Sequence, residues 1–156
     1  MAVFVMTMFG SCSDFLDRMP YSNISSIGFY DSEKNIRIAA IGLYGTLQTF
    51  YEANYPDLAE LPGDNAYTIG GALAQFEQFS LNVQNGVLSS AWTDSYHSIL
   101  QANKVLESLP QVDFSNETER GNIEGEARFV RALNYFNLVR LFGKVPLVTK
   151  VINQSE

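Results

Sequence analysis

The sequence has few of the residues that most catalytic and metal sites require. The chain of 156 residues contains one cysteine, Cys12, and one histidine, His97. One cysteine cannot form an internal disulfide, and one cysteine with one histidine cannot build the usual Cys/His zinc cage. The chain also has no Gly-x-Ser-x-Gly nucleophile elbow and no glycine-rich phosphate loop. The sequence therefore predicts no catalytic residue, no metal site and no cofactor, and it predicts a surface or structural role for His97.

Positive charge is also scarce. Lys and Arg total 10 against 17 Asp and Glu, which gives a formal net charge of -7, and the basic residues are scattered along the chain. A phosphate backbone would be repelled more than attracted by such a chain, so nucleic acid is not an expected partner. Hydrophobic residues make up 46% and charged residues 17% of the chain, a composition typical of one folded domain.

The position of the cysteine is more informative than its number. Residues 1–11, MAVFVMTMFGS, are apolar and end in small residues just before Cys12, which resembles the end of a bacterial lipoprotein signal with its lipid-modified cysteine. No Lys or Arg precedes Cys12, and Phe9 stands where leucine is commoner, so the pattern predicts a truncated signal peptide. A buried free cysteine is the alternative. Residues 12–30, rich in Ser, Asn, Asp and Gly, predict an extended tether leading to a helical domain over residues 31–156.

The first part of that domain combines one helix with long loops. Asp31 or Ser32 can cap a helix over residues 33–52, and the small residues within it predict close packing against another helix. These small residues are Ala39, Ala40, Gly42 and Gly45. Residues 54–71 are rich in Pro, Gly, Asp and Asn and predict a loop with a short helical turn near residues 56–61. Residues 72–88 predict a second irregular region, with Phe76 and Phe79 on a short helix or packed under the loop.

Two further helices follow. One is predicted from Ser89 or Ser90 to Leu109, where Pro110 ends it, with Trp92, Tyr96, Ile99, Asn103 and Leu106 on one face. The other is predicted over residues 117–142, between the N-cap Asn116 and the C-cap Gly143. Its predicted apolar stripe contains Ile123, Ala127, Val130, Leu133, Val139 and Phe142. A second set, Phe129, Ala132, Phe136 and Leu141, widens the stripe, as expected of a helix that is covered on more than one side. We expect an antiparallel, tetratricopeptide-like hairpin in which large residues of the first helix face Ala127 and Ala132 of the second.

Charged residues on the last helix have two possible roles. Glu124 and Arg128 stand four residues apart, as in a helical ion pair. Four charged residues, Glu126, Arg128, Arg131 and Arg140, are typical of a solvated or interhelical charge face. A ligand-binding arginine is the alternative.

Three short segments of the sequence resemble one known family, and they occur along the chain in the same order as in that family. They are GEARFVRALNYFNLVRLFGKVPLVT, Trp92-x3-Tyr96-x2-Ile99-x2-Ala102-Asn103, and CSDFLDRMP beginning at Cys12. These strings are similar to the corresponding segments of the SusD/RagB family of surface lipoproteins, which bind nutrients, mostly glycans, for an outer-membrane transporter. The resemblance implies an all-α fold of tetratricopeptide-like hairpins with long irregular loops. It also implies that the chain is the N-terminal portion of a larger SusD-like fold, with a C-terminal part missing.

Several residues are candidates for a ligand site. The exposed-loop sequence around Asp64, Asn65 and Tyr67 offers a carboxylate, an amide and an aromatic face, which is the combination that binds sugars. Trp92 could stack on a sugar, but its spacing favours helix packing. Asn103, on an apolar stripe, is expected to be buried and bonded to loop backbone.

The resemblance implies a non-catalytic, surface-exposed lipoprotein of the cell outer membrane, anchored through Cys12. Such a protein binds a glycan or oligosaccharide and delivers it to a SusC-like TonB-dependent transporter. The hairpin alone would favour a helical adaptor that binds a protein or peptide. A glycoside-cleaving enzyme is a third alternative, because the carboxylates of Asp57, Glu60, Asp64 and Glu77 are available.

Overall fold

The computed structural model describes residues 28–152, and in this range it is helical with no β-strand. Three long helices, α1 (Glu33–Thr49), α4 (Gly86–Ser108) and α5 (Glu117–Phe142), contain most of the helical residues of this range. Between them lie two short helices, α2 (Tyr55–Ala59) and α3 (Ala74–Glu77). Three tighter or wider turns complete the helical structure: a π-helical turn at Phe50–Asn54 and 3-10 turns at Gly71–Leu73 and Leu109–Gln111. The predicted all-α fold is confirmed.

The predicted signal peptide, most of the predicted tether and Cys12 lie outside the described residues. Within residues 28–152, no helix combines the length and the apolarity that crossing a bilayer requires.

Contacts between side chains give the directions of the long helices. Along α4, Trp92 packs edge-to-face against Phe142, and Ser98 further on is hydrogen-bonded to Asn134, so α5 runs antiparallel to α4. Thr46 of α1 bonds Ser98, while Asn54 just after α1 bonds Asp94, so α1 is also antiparallel to α4. The α4–α5 pair is the antiparallel hairpin expected from the sequence, and α1 packs alongside both of its helices.

Capping residues explain where the helices begin and end. The Asn116 side chain accepts from Thr118 N at 3.0 Å and from Glu119 N at 3.4 Å, and Gly143 ends α5 with a φ of 75°, so both predicted caps are confirmed. The predicted start of α4 was wrong. Asn85 caps this helix by accepting from Val87 N at 3.0 Å, so α4 begins at Gly86 instead of after Ser89 or Ser90.

The buried face of α5 also differs from the predicted stripe. Val139 is 55% exposed and Ala132 is exposed, whereas Asn134 and Asn137 are buried. These two amides can be buried because Asn134 donates to Ser98 Oγ and Asn137 donates to the Tyr51 hydroxyl. A pattern drawn from apolar residues alone misplaces a face that contains hydrogen-bonded polar residues.

Two apolar clusters form the core. The first cluster joins α1, α4 and α5 through buried residues that include Ile36, Leu43, Val105 and Val130. The second joins the region around α2 and α3 to the start of α4 through Phe50, Leu58, Leu61, Phe76 and Ala91. Phe76 is thus packed, as expected, whereas Phe79 is 78% exposed.

A polar layer, made of Thr46, Ser98 and Asn134, connects α1, α4 and α5. Asn134 Nδ2 lies 2.9 Å from Ser98 Oγ, and the Ser98 and Thr46 hydroxyls lie 2.6 Å apart. Ser98 and Asn134 are almost fully buried. Thr46 and Asn134 also donate to carbonyl oxygens of their own helices, but Ser98 meets both of these partners only when the three helices are aligned, so the layer favours one register.

The glycines of α1 do not have the predicted role. Gly42 and Gly45 are exposed, and a Cβ added at either would meet no atom within 4 Å. The close helix contact expected at these positions is therefore not formed within the described part of the chain. The same side of α1 exposes Ile41, which is 64% accessible, and Ile38, which is 48% accessible.

Candidate functional site

The loop predicted to contact ligand is ordered by its backbone. Asn65 N and Ala66 N both bond the Glu60 carbonyl oxygen, at 3.1 and 3.3 Å, and Asp64 has a φ of 59°. A Cβ at Gly63 would come within 2.9 Å of the Ala59 carbonyl oxygen, so this turn requires glycine. The bonds and the glycine together fix the position of Asp64 and Asn65.

Asp64, Asn65 and Tyr67 are all exposed, and Tyr67 is 81% accessible. They lie on an open surface and do not line the cavity described below. A free aromatic ring beside an amide and a carboxylate can stack on a sugar ring and bond its hydroxyls.

Exposed apolar side chains lie on the second half of this loop and on the segment after α3. Their exposure was not predicted from the sequence. Thr68 N donates to Glu77 Oε2 at 3.3 Å, which ties the Tyr67 segment to α3. Just after α3, Phe79 adopts a φ of 52°, a left-handed conformation that a bulky side chain rarely takes. Ile69 and Val83 are also almost fully exposed. The loop surface is therefore more apolar than Asp64 and Asn65 alone suggest.

A cavity of about 200 Å³, the α2–α5 cavity, opens where the last turns of α5 pass α2. Its lining is apolar on the α2 side and polar on the α5 side, and consists of Phe50, Tyr55, Leu58, Ala59, Asn137, Arg140 and Leu141. The π-helical turn contributes Phe50 to this lining, and Tyr51 in the same turn accepts a 3.0 Å bond from Asn137 Nδ2. In the sequence, Arg140 is distinguished from the other arginines by no local pattern, and no local pattern indicates the cavity.

The extended segment over residues 144–152 is held against the hairpin by side chains. Asn103, which is fully buried, donates to the Val148 and Lys150 carbonyl oxygens at 3.1 and 3.2 Å, and its own oxygen accepts from Arg131 at 2.8 Å. The prediction that Asn103 is buried and bonded to loop backbone is confirmed. The Tyr135 hydroxyl bonds both N and O of Val148.

Aromatic packing accompanies this segment. The Trp92 ring lies 4.9 Å from Tyr96 and 5.1 Å from Phe142, so Trp92 has the helix-packing role predicted for it. The Tyr96 hydroxyl donates to the Pro146 carbonyl oxygen at 2.7 Å. Burial, with a smaller contribution from Tyr135, raises the pKa of Tyr96 above its ordinary value, which keeps this hydroxyl a donor.

His97 is exposed and its Nε2 lies 3.1 Å from the Gln101 amide nitrogen, as expected for a surface histidine. Across residues 28–152, no group of three or more His, Cys, Asp or Glu side chains is placed to hold a metal ion.

The structure is an antiparallel helical hairpin with a third helix packed alongside and an extended segment hydrogen-bonded to it. This arrangement defines the class as an all-α, tetratricopeptide-like protein. Comparison with known families specifies it further: a SusD-like family described as "Starch-binding associating with outer membrane" matches residues 14–155. The chain belongs to this SusD-like family.

Individual relatives agree with the family. The chain is 31% identical to SusD-like protein P25 of Formosa agariphila, over 99% of the chain and 32% of that protein. It is 28% identical to a SusD-like protein of Bacteroides ovatus, over 90% of the chain and 26% of that protein. A solved structure named "Laminarin binding SusD-like protein" matches with a TM-score of 0.69 and 28% identity, over 81% of this chain and 29% of that one. The chain thus spans about a third of the length of these relatives and aligns with their fold over most of its own length.

Proposed function

We propose that the protein is a non-catalytic, cell-surface glycan-binding lipoprotein that delivers an oligosaccharide to a SusC-like TonB-dependent transporter. The observation that carries the proposal is membership of the SusD-like family over residues 14–155, a family described as starch-binding and associated with the outer membrane. The laminarin-binding neighbour supports a glycan as the class of ligand.

We assign a ligand-contacting role to Asp64, Asn65 and Tyr67. Their backbone is fixed before any ligand arrives, so binding would cost little ordering entropy. Tyr67 would supply a stacking face, and the two polar side chains would bond sugar hydroxyls. Tyr67→Ala should then weaken glycan binding about tenfold, because covering about 60 Å² of ring surface at about 25 cal/mol per Å² contributes about 1.5 kcal/mol. Tyr44→Ala, which removes a half-exposed tyrosine from α1, is the matched control.

A glycan array probed with the full chain tests the binding function. Binding to one or more glycans, lost on Tyr67→Ala and kept on Tyr44→Ala, is the expected result. The exposed apolar sides of α1 and α5 favour the rival function, a helical adaptor for a protein or peptide. An array with no bound glycan, together with a peptide library that yields a binder, would favour the adaptor. New reducing ends after incubation with a bound glycan would instead reveal an enzyme.

Anchoring is proposed through Cys12, with the outer membrane as the location. A single acyl chain gives only marginal attachment, so stable anchoring requires the several chains of a mature bacterial lipoprotein. Cys12→Ala should release the protein from membranes and abolish fatty-acid labelling of a full-length protein with its native upstream signal. Equal labelling of both forms would contradict the lipoprotein assignment.

A further inference from the structure

We propose that the α2–α5 cavity binds an acidic sugar unit, a ring bearing a carboxylate or a sulfate group, through the guanidinium of Arg140. The inference rests on the proposed glycan-binding function and narrows its class of ligand. It concerns a cavity separate from the Asp64–Tyr67 surface.

The cavity has the size and lining of a site for one sugar ring. Its volume of about 200 Å³ corresponds to roughly seven water molecules at about 30 Å³ each. Phe50, Tyr55 and Leu58 form an apolar wall, and Asn137 and Arg140 face it from α5. Apolar walls with a few placed polar groups are typical of small-ligand sites.

Asn137 is a fixed polar group in this lining. It is 3% exposed, and its Nδ2 donates to the Tyr51 hydroxyl at 3.0 Å. Within residues 28–152 its Oδ1 accepts no hydrogen bond, and no fully buried side-chain oxygen or nitrogen in this range lacks a partner. The Asn137 oxygen therefore keeps some accessible surface, which suits it to accept a hydrogen bond from a ligand hydroxyl.

Arg140 differs from the other arginines of the described part. Arg37, Arg120 and Arg128 each pair with a glutamate. Arg131 bonds Asn103 and the Thr149 carbonyl oxygen. Within residues 28–152, Arg140 is the one arginine whose guanidinium has neither a carboxylate nor a hydrogen-bond partner.

The Arg140 guanidinium lies instead 5.1 Å from the centre of the ring of Phe136, one turn earlier on α5. This contact limits the positions of the side chain and leaves its N–H groups free. A guanidinium with free N–H groups can bind a carboxylate or a sulfate through two parallel hydrogen bonds. A neutral sugar would leave most of that capacity unused.

One feature of α5 opposes an anion. Arg140 lies in the last turn of α5, where the helix dipole places about half a negative charge and favours a cation. A full positive charge on Arg140 exceeds this partial charge. The opposing explanation, that Arg140 only complements the dipole, predicts an effect on stability with none on ligand affinity.

Calorimetric titration of the full chain separates these explanations. The probes are trigalacturonate, its neutral methyl ester, a sulfated galactose oligosaccharide, neutral laminaritriose and inorganic sulfate. We expect the acidic trisaccharide, the sulfated one or both to bind at least about tenfold more tightly than the methyl ester, a difference of about 1.4 kcal/mol. Comparison of the two acidic probes identifies which anionic group the cavity prefers.

The variant Arg140→Gln should abolish that preference, and Arg140→Lys should retain part of it. Arg128→Gln, three turns earlier on α5 and in a surface ion pair with Glu124, should leave it unchanged. Thermal unfolding of each variant confirms that it is folded.

Four results would overturn the inference. The first is equal affinity for the acid and its ester. The second is a change in stability on Arg140→Gln with no change in affinity. The third is binding of inorganic sulfate as tight as that of the sugars. The fourth is binding of neutral glycans alone, which would leave the proposed function intact. A chain that binds no glycan of any kind would refute the proposed function together with this inference.

Discussion

Asn103 holds the extended segment over residues 144–152 against the helical hairpin. Its amide bonds two carbonyl oxygens of residues 144–152, and its oxygen accepts from Arg131. Asn103→Ala removes three hydrogen bonds, of which Val148 and Arg131 each keep one other partner, so at about 1 kcal/mol per bond we expect the free energy of unfolding to fall by about 1–3 kcal/mol. Denaturant unfolding measures the change. Gln101→Ala, two residues earlier on α4, is the control, and equal losses in both variants would contradict this role.

Glu33 gives a prediction about pH. Its carboxylate accepts from N and Oγ of Ser115, both at 2.9 Å, and also from Arg37. The Ser115 backbone bond is the largest cause, and together these contacts hold the pKa of Glu33 below its ordinary value of 4.5.

A carboxyl group whose pKa is lower in the folded chain than in the unfolded chain stabilises the fold at pH values above its unfolded-state pKa. This contribution is lost as the pH falls through the pKa of the group in the folded chain. Glu33→Gln should therefore lower the denaturation midpoint at pH 7, with the difference shrinking steadily below about pH 4.5. Glu124→Gln, whose partner is on its own helix, is the control. A difference that grows with acidity would contradict the assignment.

At the scale of the helix, the N-cap of α5 is the simplest element to test. Asn116→Ala removes the acceptor for Thr118 N and Glu119 N and should cost about 1 kcal/mol. Asn122→Ala, at an exposed position inside the same helix, should be neutral or slightly stabilising, because alanine is the better helix former. Chemical denaturation of both variants measures their free energies of unfolding. Equal changes in the two variants would show that the Asn116 cap does not stabilise the helix.

The elements that could be predicted from the sequence are those with strong local signals. Asn116, Gly143 and Pro110 mark helix ends by their own chemistry: α5 begins one residue after Asn116 and ends one residue before Gly143, and α4 ends two residues before Pro110. The start of α4 was missed because Asn85 lies among loop residues, and its role as a cap depends on Ala72 and Gln75, to which its amide donates. The α2–α5 cavity was missed for a similar reason, since it depends on contacts between residues more than eighty positions apart, such as Tyr51 and Asn137.

At the scale of the whole molecule, two helix sides lack cover within residues 28–152. Phe129 and Phe136 of α5 are 59% and 58% exposed, in agreement with an apolar stripe wider than one hairpin can bury. On α1, Ile38, Ile41 and the open glycine positions form a second uncovered side. The relatives are about three times longer than this chain, and we propose that further helices of the family fold cover both sides but leave the Arg140 end of α5 open to ligand.

This proposal predicts the behaviour of residues 12–156 expressed alone. Exposed apolar sides favour association, so we expect an oligomeric, poorly soluble or loosely packed product. Sedimentation and thermal unfolding provide the check. A monodisperse monomer with a sharp, cooperative transition would mean that this segment closes its own core.

The central claim is that the protein binds a glycan without cleaving it, and calorimetric titration of the full chain with the strongest array ligand tests it most directly. The account predicts a saturable heat of binding, a glycan recovered with its chain length unchanged, and a marked loss of affinity on Tyr67→Ala. No heat of binding with any glycan, or recovery of shortened products, would contradict it.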